Sequence, residues 1–425
     1  MHNKRLLKGV APLLVLFSAQ AAALPFQSID PRSLAMGGTG TASGTSANAS
    51  FMNPALLAAA REDEDFSLEL PIVSGRFTDK DNLLKEIDNY QNNNLESNLT
   101  NAINDFKASP SNVTATAVAN QAGALWNQLD KLSNKAVQGE FSAGFVVGIP
   151  SKKLGASLSA DVRAVGGGML EVPAADKALV TGIVAAGQDT TGLGQVVNLA
   201  ANPAIQDQLT GTQNVVNKLT SNLQARGAVI SELNLALARE VNIAGHTLAI
   251  GLTPKYQKVT TFDYKVGVQT ASIDASQGKK EYSDFNFDLG LAKDYENGWK
   301  AGLTVKNLIS HDYATVLGNS LKIEPQARVG VAHSTDWTTV SMDVDLNESK
   351  SFGFDSKTQY IGLGAELNVF KTAQLRVGYR HNMSDSSTSM PTVGVGFSPF
   401  GVHIDIAAAA NQHEKAAALQ LGFRF

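Results

Sequence analysis

The chain has no cysteine. That excludes a disulfide framework, a thiolate metal site, a Cys-x-x-Cys redox centre and the lipid-bearing cysteine of a bacterial lipoprotein. No stretch approaches the roughly 18 consecutive apolar residues that a membrane-spanning helix needs. This excludes a helical membrane protein but not a β-barrel, whose strands carry a much weaker hydropathy signal. Neither sign of charge is in excess. Of 425 residues 17% are charged, with a net charge of −4, and nothing points to nucleic acid. Histidine is scarce. His2, His246, His311, His333, His381, His403 and His413 include no pair at the spacing of a helical zinc motif. No Gly-x-Ser-x-Gly nucleophile elbow is present. His403-x-Asp405 places two polar groups on one strand face, and a hydrogen-bonded pair explains it better than a metal or catalytic site. The residues therefore offer no catalytic site, no cofactor and no metal centre.

What is present begins with an export signal. Lys4, Arg5 and Lys8 make a positive start, Val10 to Phe17 form a short apolar core, and Ala21-Ala22-Ala23 offers a cleavage site. Residues 1–23 are thus expected to be removed, leaving Leu24 near the mature N-terminus.

Fourteen later segments read as strands: 66–77, 139–149, 153–165, 228–242, 246–260, 282–294, 298–309, 320–334, 336–346, 357–370, 372–383, 390–398, 400–410 and 414–425. Several alternate with a period of two. Phe285, Phe287, Leu289 and Leu291 are interleaved with Asp284, Asn286, Asp288 and Gly290. Connections near 150–152, 243–245, 295–297, 335, 371 and 399 are tight. Those at 78–138, 166–227, 261–281, 310–319, 347–356, 384–389 and 411–413 are generally longer. Short turns on one rim and long loops on the other are the habit of outer-membrane barrels. A soluble β-sandwich would also alternate, but it does not explain the signal or the asymmetry. The expected fold class is all-β: a transmembrane antiparallel β-barrel of about 14 strands.

Energy then assigns the faces. An Arg or Lys on the lipid face at the bilayer midplane costs about 2–4 kcal/mol. Asp288, Lys300, Arg328, Asp343, Glu366, Arg376 and Asp405 alternate with apolar neighbours and are expected to face the lumen. Trp299, Trp337, Tyr256, Tyr379, Phe397, Phe400 and Phe423 suit interfacial girdles, or are ordinary strand aromatics. Residues 78–138 and 166–227 do not read as strands. Leu83, Leu84 and Ile87, then Leu125, Leu129 and Leu132, and Val215, Val216, Leu219 and Leu223 have helical spacing. These insertions are expected to be helical caps over the extracellular mouth, either as decoration or as a ligand or partner site.

The tail and the start carry resemblances. Ala417, Leu419, Leu421, Phe423 and Phe425 alternate with Ala418, Gln420, Gly422 and Arg424. A strand ending on a terminal Phe resembles the closing strand of bacterial outer-membrane barrels. This implies outer-membrane lipid as surroundings and Phe425 as the signal to the barrel-assembly machinery. Met36-Gly37-Gly38-Thr39-Gly40, followed by Asn53-Pro54-Ala55, resembles the N-terminal hatch of FadL-type outer-membrane proteins. That resemblance implies that residues 24–65 fold back into the lumen of a 66–425 barrel. Glycines allow tight turns and close approach to the walls, and Asn-Pro is a turn signal. Gly251 to Val259 and Gly302 to Ile309 are similar to segments of the conjugal transfer protein TraF family, a branch with FadL-like barrel features. That name implies a structural or assembly role in the envelope or in plasmid conjugation, with conjugation proteins as partners. The FadL likeness implies instead a transporter for long-chain fatty acids or other hydrophobic small molecules.

Overall fold

The computed structural model describes residues 25–26, 29–59, 65–188, 194–267, 278–350, 352–370 and 372–424. The expected signal, 1–23, and Phe425 lie outside the described residues. The strands in chain order are β1 (Ser67–Thr78), β2 (Ala136–Ile149), β3 (Gly155–Glu171), β4 (Asn222–Ile243), β5 (His246–Gly267), β6 (Lys279–Asp294), β7 (Trp299–Lys306), β8 (His311–Ala314), β9 (Ser320–Ile323), β10 (Gln326–Ser334), β11 (Thr338–Asp345), β12 (Ser349–Lys350), β13 (Lys357–Thr358), β14 (Tyr360–Val369), β15 (Ala373–Asn382), β16 (Met390–Phe397), β17 (Val402–Ala410) and β18 (Glu414–Arg424). Fourteen of them form one closed antiparallel ring, while β8–β9 and β12–β13 are separate two-stranded hairpins. The tail closes the ring: Leu68 of β1 sits opposite Phe423 and Gly75 opposite Ala417.

The alternation of the sequence becomes an inverted protein. Along β17, Val402, Ile404 and Ile406 are exposed while His403 and Asp405 are buried. On β15, Leu375, Val377 and Tyr379 face out while Gln374, Arg376 and Arg380 are buried. Full burial of such aliphatic side chains is worth about 1.5–3 kcal/mol each, and soluble proteins rarely expose a contiguous apolar patch of this extent. A lipid environment removes that penalty. Aromatics gather on the rim of tight turns: Trp299, Trp337, Phe370, Phe397, Phe400 and Phe423 are all exposed there. Tyr256 packs against Phe285 in a tilted pair, ring centroids 5.4 Å apart, further along β5. Tyr379 lies within β15 and not at its end.

Three readings need correction. Residues 320–334 are not one strand: β9 pairs with β8, and the barrel strand resumes at Gln326 after Pro325, which has no N–H to donate. Residues 357–370 split likewise, Lys357 and Thr358 pairing with β12 before the ring strand starts at Tyr360. Residues 215–223 are not a helix face: Val215–Lys218 make a single 3-10 turn, and β4 starts at Asn222. Strands β3 to β6 also run further than expected, so 261–267 and 279–281 of the expected loop 261–281 are strand.

The two insertions build one unit. The helices α2 (Leu83–Asn92), α3 (Leu95–Ala108), α4 (Asn112–Leu132), α5 (Ala174–Gly187), α6 (Gly194–Ala200) and α7 (Pro203–Thr210) follow α1 (Pro31–Ala35). Leu99, Ile103, Phe106 and Leu125 from the first insertion and Val180, Ile183, Leu199 and Ile205 from the second share one apolar core. Asp176, at the start of α5, accepts from the N–H and hydroxyl of both Thr220 and Ser221, which ties the returning chain to the helix base.

Candidate functional site

The site is the inside of the barrel, and its geometry is set by the segment before β1. Asp30 caps α1 by accepting from Ser33 N at 2.8 Å, with Pro31 preset for the first turn. Gly37 and Gly38 then take positive φ, which lets the chain reverse beside the wall. Asn53 caps a second turn starting at Pro54, accepting from Ala55 N at 3.1 Å. All of Met36, Gly37, Gly40, Asn53, Pro54 and Ala55 are buried, and Gly38 is half-buried.

The ring holds this segment through its backbone. Asp343 Oδ2 accepts from Gly40 N and Thr41 N, each at 2.9 Å. Arg328 donates to Gly38 O at 2.9 Å and Phe26 O at 3.0 Å, while its Nε donates to Asp345 at 2.6 Å. Thr392 accepts from Gly37 N at 3.0 Å and donates to Ala35 O at 2.8 Å. Asn53 Nδ2 donates to Leu291 O at 3.0 Å, and the Lys306 ammonium donates to Phe51 O. An ion-pair chain adds to this. Arg32 meets Glu366 at 2.9 Å, Glu366 meets Arg376 at 2.6 Å, and Arg376 meets Asp405.

The walls are cut to receive the segment. A Cβ at Gly362 would lie 2.5 Å from Gly37 O, and one at Gly364 2.5 Å from Met36 O. At Gly251, Gly290, Gly302, Gly378 and Gly394 it would overlap Pro54, Asn53, Thr41, Gly37 and Ala35. These inward glycines let two backbones meet at van der Waals distance.

Of the seven charged residues expected in the lumen, Asp343, Arg328 and Glu366 touch the segment directly, and Arg376 and Asp405 back it. Asp288 pairs with Lys255 at 3.0 Å. Lys300 sits at the turn-side mouth, 3.4 Å from Asp294, with its side chain 30% exposed. The hydrogen-bonded pair expected of His403 and Asp405 is not formed. His403 meets Glu69 at 2.5 Å, and Asp405 meets Arg376. Among the described residues no group of three metal-ligating side chains forms. Sequence reasoning missed Arg32, Arg76, Lys255, Glu414 and the wall glycines. The glycines' signal was visible as Gly at inward positions of strands, where it otherwise weakens the strand.

The segment separates open space into unequal parts. On the turn side a polar vestibule of about 320 Å³ is bordered by Ser43, Thr45, Lys300, Arg376 and Arg424. On the cap side one chamber is lined by Phe26, Leu34, Arg76, Tyr360 and Arg380, and another by Asp161, Glu232, Lys255 and Lys306. The cap-side mouth is narrowed by inward loops. Tyr313, Leu321 and Ile323 of the β8–β9 hairpin and Phe352 pack on Val165, Ile230 and Val259 of the wall. Asp263 holds the hairpin through Thr315 at 2.6 Å and Asn319 at 2.8 Å, and Arg76 holds Asp355 at 2.6 Å.

Comparisons with known proteins agree with this geometry. No curated protein matches the chain in sequence. Among solved structures it is similar to a TodX deltaS2S3 mutant monoaromatic hydrocarbon channel. The identity is 10% and the TM-score 0.52, with 94% of this chain and 99% of that one covered. A Pseudomonas aeruginosa FadL homologue is similar at 10% identity and TM-score 0.51, covering 95% of this chain and 99% of that one. At such identity the likeness is one of fold. Residues 50–345, more than half of the chain, match the family described as the F plasmid transfer operon TraF protein. The chain belongs to that TraF family, built on a FadL-like barrel.

Proposed function

We propose that this chain is an outer-membrane channel for hydrophobic small molecules, exported by a cleaved signal and gated by its N-terminal segment. In this reading residues 24–65 are the plug, 66–425 the barrel, and Met36, Gly37, Gly38, Gly40, Asn53, Pro54 and Ala55 the plug's seating residues. The carrying observation is that the lumen is closed by a separate segment lying between open chambers, held mainly by hydrogen bonds and ion pairs. Such contacts can be exchanged for water when the segment moves. The two structural relatives, by their titles a hydrocarbon channel and a FadL homologue, supply the class of cargo. Neither is an enzyme by title, and the lumen groups are engaged in holding the plug. Lipid contacts the apolar exterior, and the closing strand with Phe425 addresses the assembly machinery.

Calorimetry on the detergent-folded protein tests this, with toluene and a long-chain fatty acid as probes. Saturable micromolar binding, weakened by a charge placed on the cap at Phe106 or Ile183, is the expected result. Absence of binding to folded protein contradicts it. A second reading, a closed scaffold serving envelope or conjugation assembly, is favoured by the polar character of the chambers and the depth of the ion-pair chain. It predicts no binding and a drop in conjugation frequency on deletion.

A further inference from the structure

We propose that the cap-side crevice beside the Arg76–Asp355 pair is a loading site for an aryl carboxylate, and that the carboxylate of this cargo takes the place of Asp355 on Arg76. This deepens the channel reading above and depends on it.

The crevice, of about 300 Å³, lies where the base of the cap meets an inward loop, and is lined by Thr78, Lys80, Ala136, Met169, Phe354 and Asp355. That exceeds the roughly 150 Å³ that holds a benzene ring. Met169 and Phe354 are only half-buried. A ring and a thioether offer an aromatic guest offset stacking and sulfur contacts. Two ion pairs bound the space. Lys80 meets Asp385 at 2.8 Å on the rim, where the Lys80 side chain is exposed and such a pair is weak. Arg76 meets Asp355 at 2.6 Å at the inner end, where both side chains are buried. Arg76 also donates to the Thr78 hydroxyl at 3.3 Å, so two of its partners belong to the crevice wall.

On its other side Arg76 lines a chamber of about 40 Å³, together with Arg380 and Tyr360. One water takes roughly 30 Å³ of liquid volume, so this chamber has room for a head group and not for a ring. Arg76 Nε, Arg380 Nε and the Tyr360 hydroxyl have no hydrogen-bond partner among the described residues, and all three side chains are more than nine-tenths buried. Buried donors without acceptors favour a guest that brings oxygens. Charge makes the event an exchange. Arg76 and Arg380 already face Glu140, Glu414 and Asp355, and a further buried anion would add an unmatched charge. Glu140 and Glu414 sit on β2 and β18, but Asp355 sits on a loop, and its other hydrogen bond comes from Ser356 N of the same loop at 3.2 Å. The loop carboxylate can turn to solvent while the cargo carboxylate keeps the charge constant. A neutral hydrocarbon would leave Arg76 short of a partner.

The test is calorimetry on the detergent-folded protein with 4-ethylbenzoate, and with 4-ethylbenzyl alcohol and toluene as neutral probes. The benzoate should bind at least about tenfold more tightly than either, because its bonds are to a charged donor. Asp355→Asn keeps the shape and removes the competing charge, so it should tighten benzoate binding and leave the alcohol unchanged. Phe354→Ala should weaken benzoate and alcohol alike. Arg76→Lys, shown by the unheated gel shift to be a folded barrel, should erase the preference for benzoate. Equal affinities for benzoate and alcohol overturn the inference, while toluene binding leaves the channel reading standing. Benzoate binding that Asp355→Asn weakens or leaves unchanged overturns the exchange, since Asp355 would then be structural only. Failure of every probe and of a long-chain fatty acid to bind folded protein overturns the channel reading and the inference together.

Discussion

Asp343 carries two backbone N–H groups of the N-terminal segment on one carboxylate oxygen, and among the described residues no other ring group accepts from Gly40 N or Thr41 N. Asp343→Ala should strand both donors at about 1–3 kcal/mol each. Hydrogen exchange at Gly40 and Thr41 should accelerate while barrel amides stay protected. In the ion-pair chain the order of loss is the informative quantity. Arg376→Ala leaves both Glu366 and Asp405 without that partner, whereas Arg32→Ala leaves Glu366 its contact with Arg376. Breaking a buried pair costs about 3–5 kcal/mol. Thermal unfolding should therefore show Arg376→Ala to be the more damaging change, and equal effects would contradict the network. Gly290→Val drives a side chain into Asn53 and Pro54. Overpacking of about 1–3 kcal/mol should unseat the segment and raise single-channel conductance without unfolding the ring.

At the scale of elements, the strands were legible because period-two patterning survives inversion: the outward face carries Leu375 and Val377 as a core would, and the lumen carries Arg376. The division of 320–334 was not legible, since Leu321 and Ile323 alternate like ring residues. They alternate because they face an apolar cluster inside the mouth. The cap was half legible. Leu125 and Leu129 of α4 carried a helical stripe, but their partners Val180 and Ile183 lie in the other insertion, beyond any local signal. Phe106→Ala should cost the cap about 3–5 kcal/mol, seen as faster proteolysis within 83–132 with the barrel's gel shift unchanged. The cap-side loop between β15 and β16 has its own pH response. Burial acts to raise the Asp385 carboxyl, but bonds from Lys80, Ser387 and Ser356 outweigh it and hold it well below the usual carboxylate range. A lowered folded-state pKa contributes stability above the unfolded value near 4, lost as pH falls through the folded value. Lys80 is 43% exposed, so solvent screening reduces the pair to a few tenths of a kcal/mol. Loop opening measured by proteolysis should thus be flat from neutral pH to about 5 and rise only in acid, and Lys80→Ala should shift that rise upward.

Over the whole molecule, the closed ring, its strand number and the asymmetry of its connections were all present in the sequence, because each is a property of local patterning repeated around a circle. How the N-terminal segment sits was not. Its contacts join residues up to 357 positions apart, such as Gly38 with Arg328 and Ala35 with Thr392, and no periodicity encodes such pairs. The central claim is that this segment must move for cargo to pass. Having no cysteine, the chain accepts a clean lock. Thr39 and Ser341 already place their hydroxyls 2.7 Å apart across the segment and the wall, near enough for a disulfide after Thr39→Cys and Ser341→Cys. Uptake of radiolabelled toluene by cells carrying the double variant should stop on oxidation and return on reduction. Equal uptake in both states would contradict the gate.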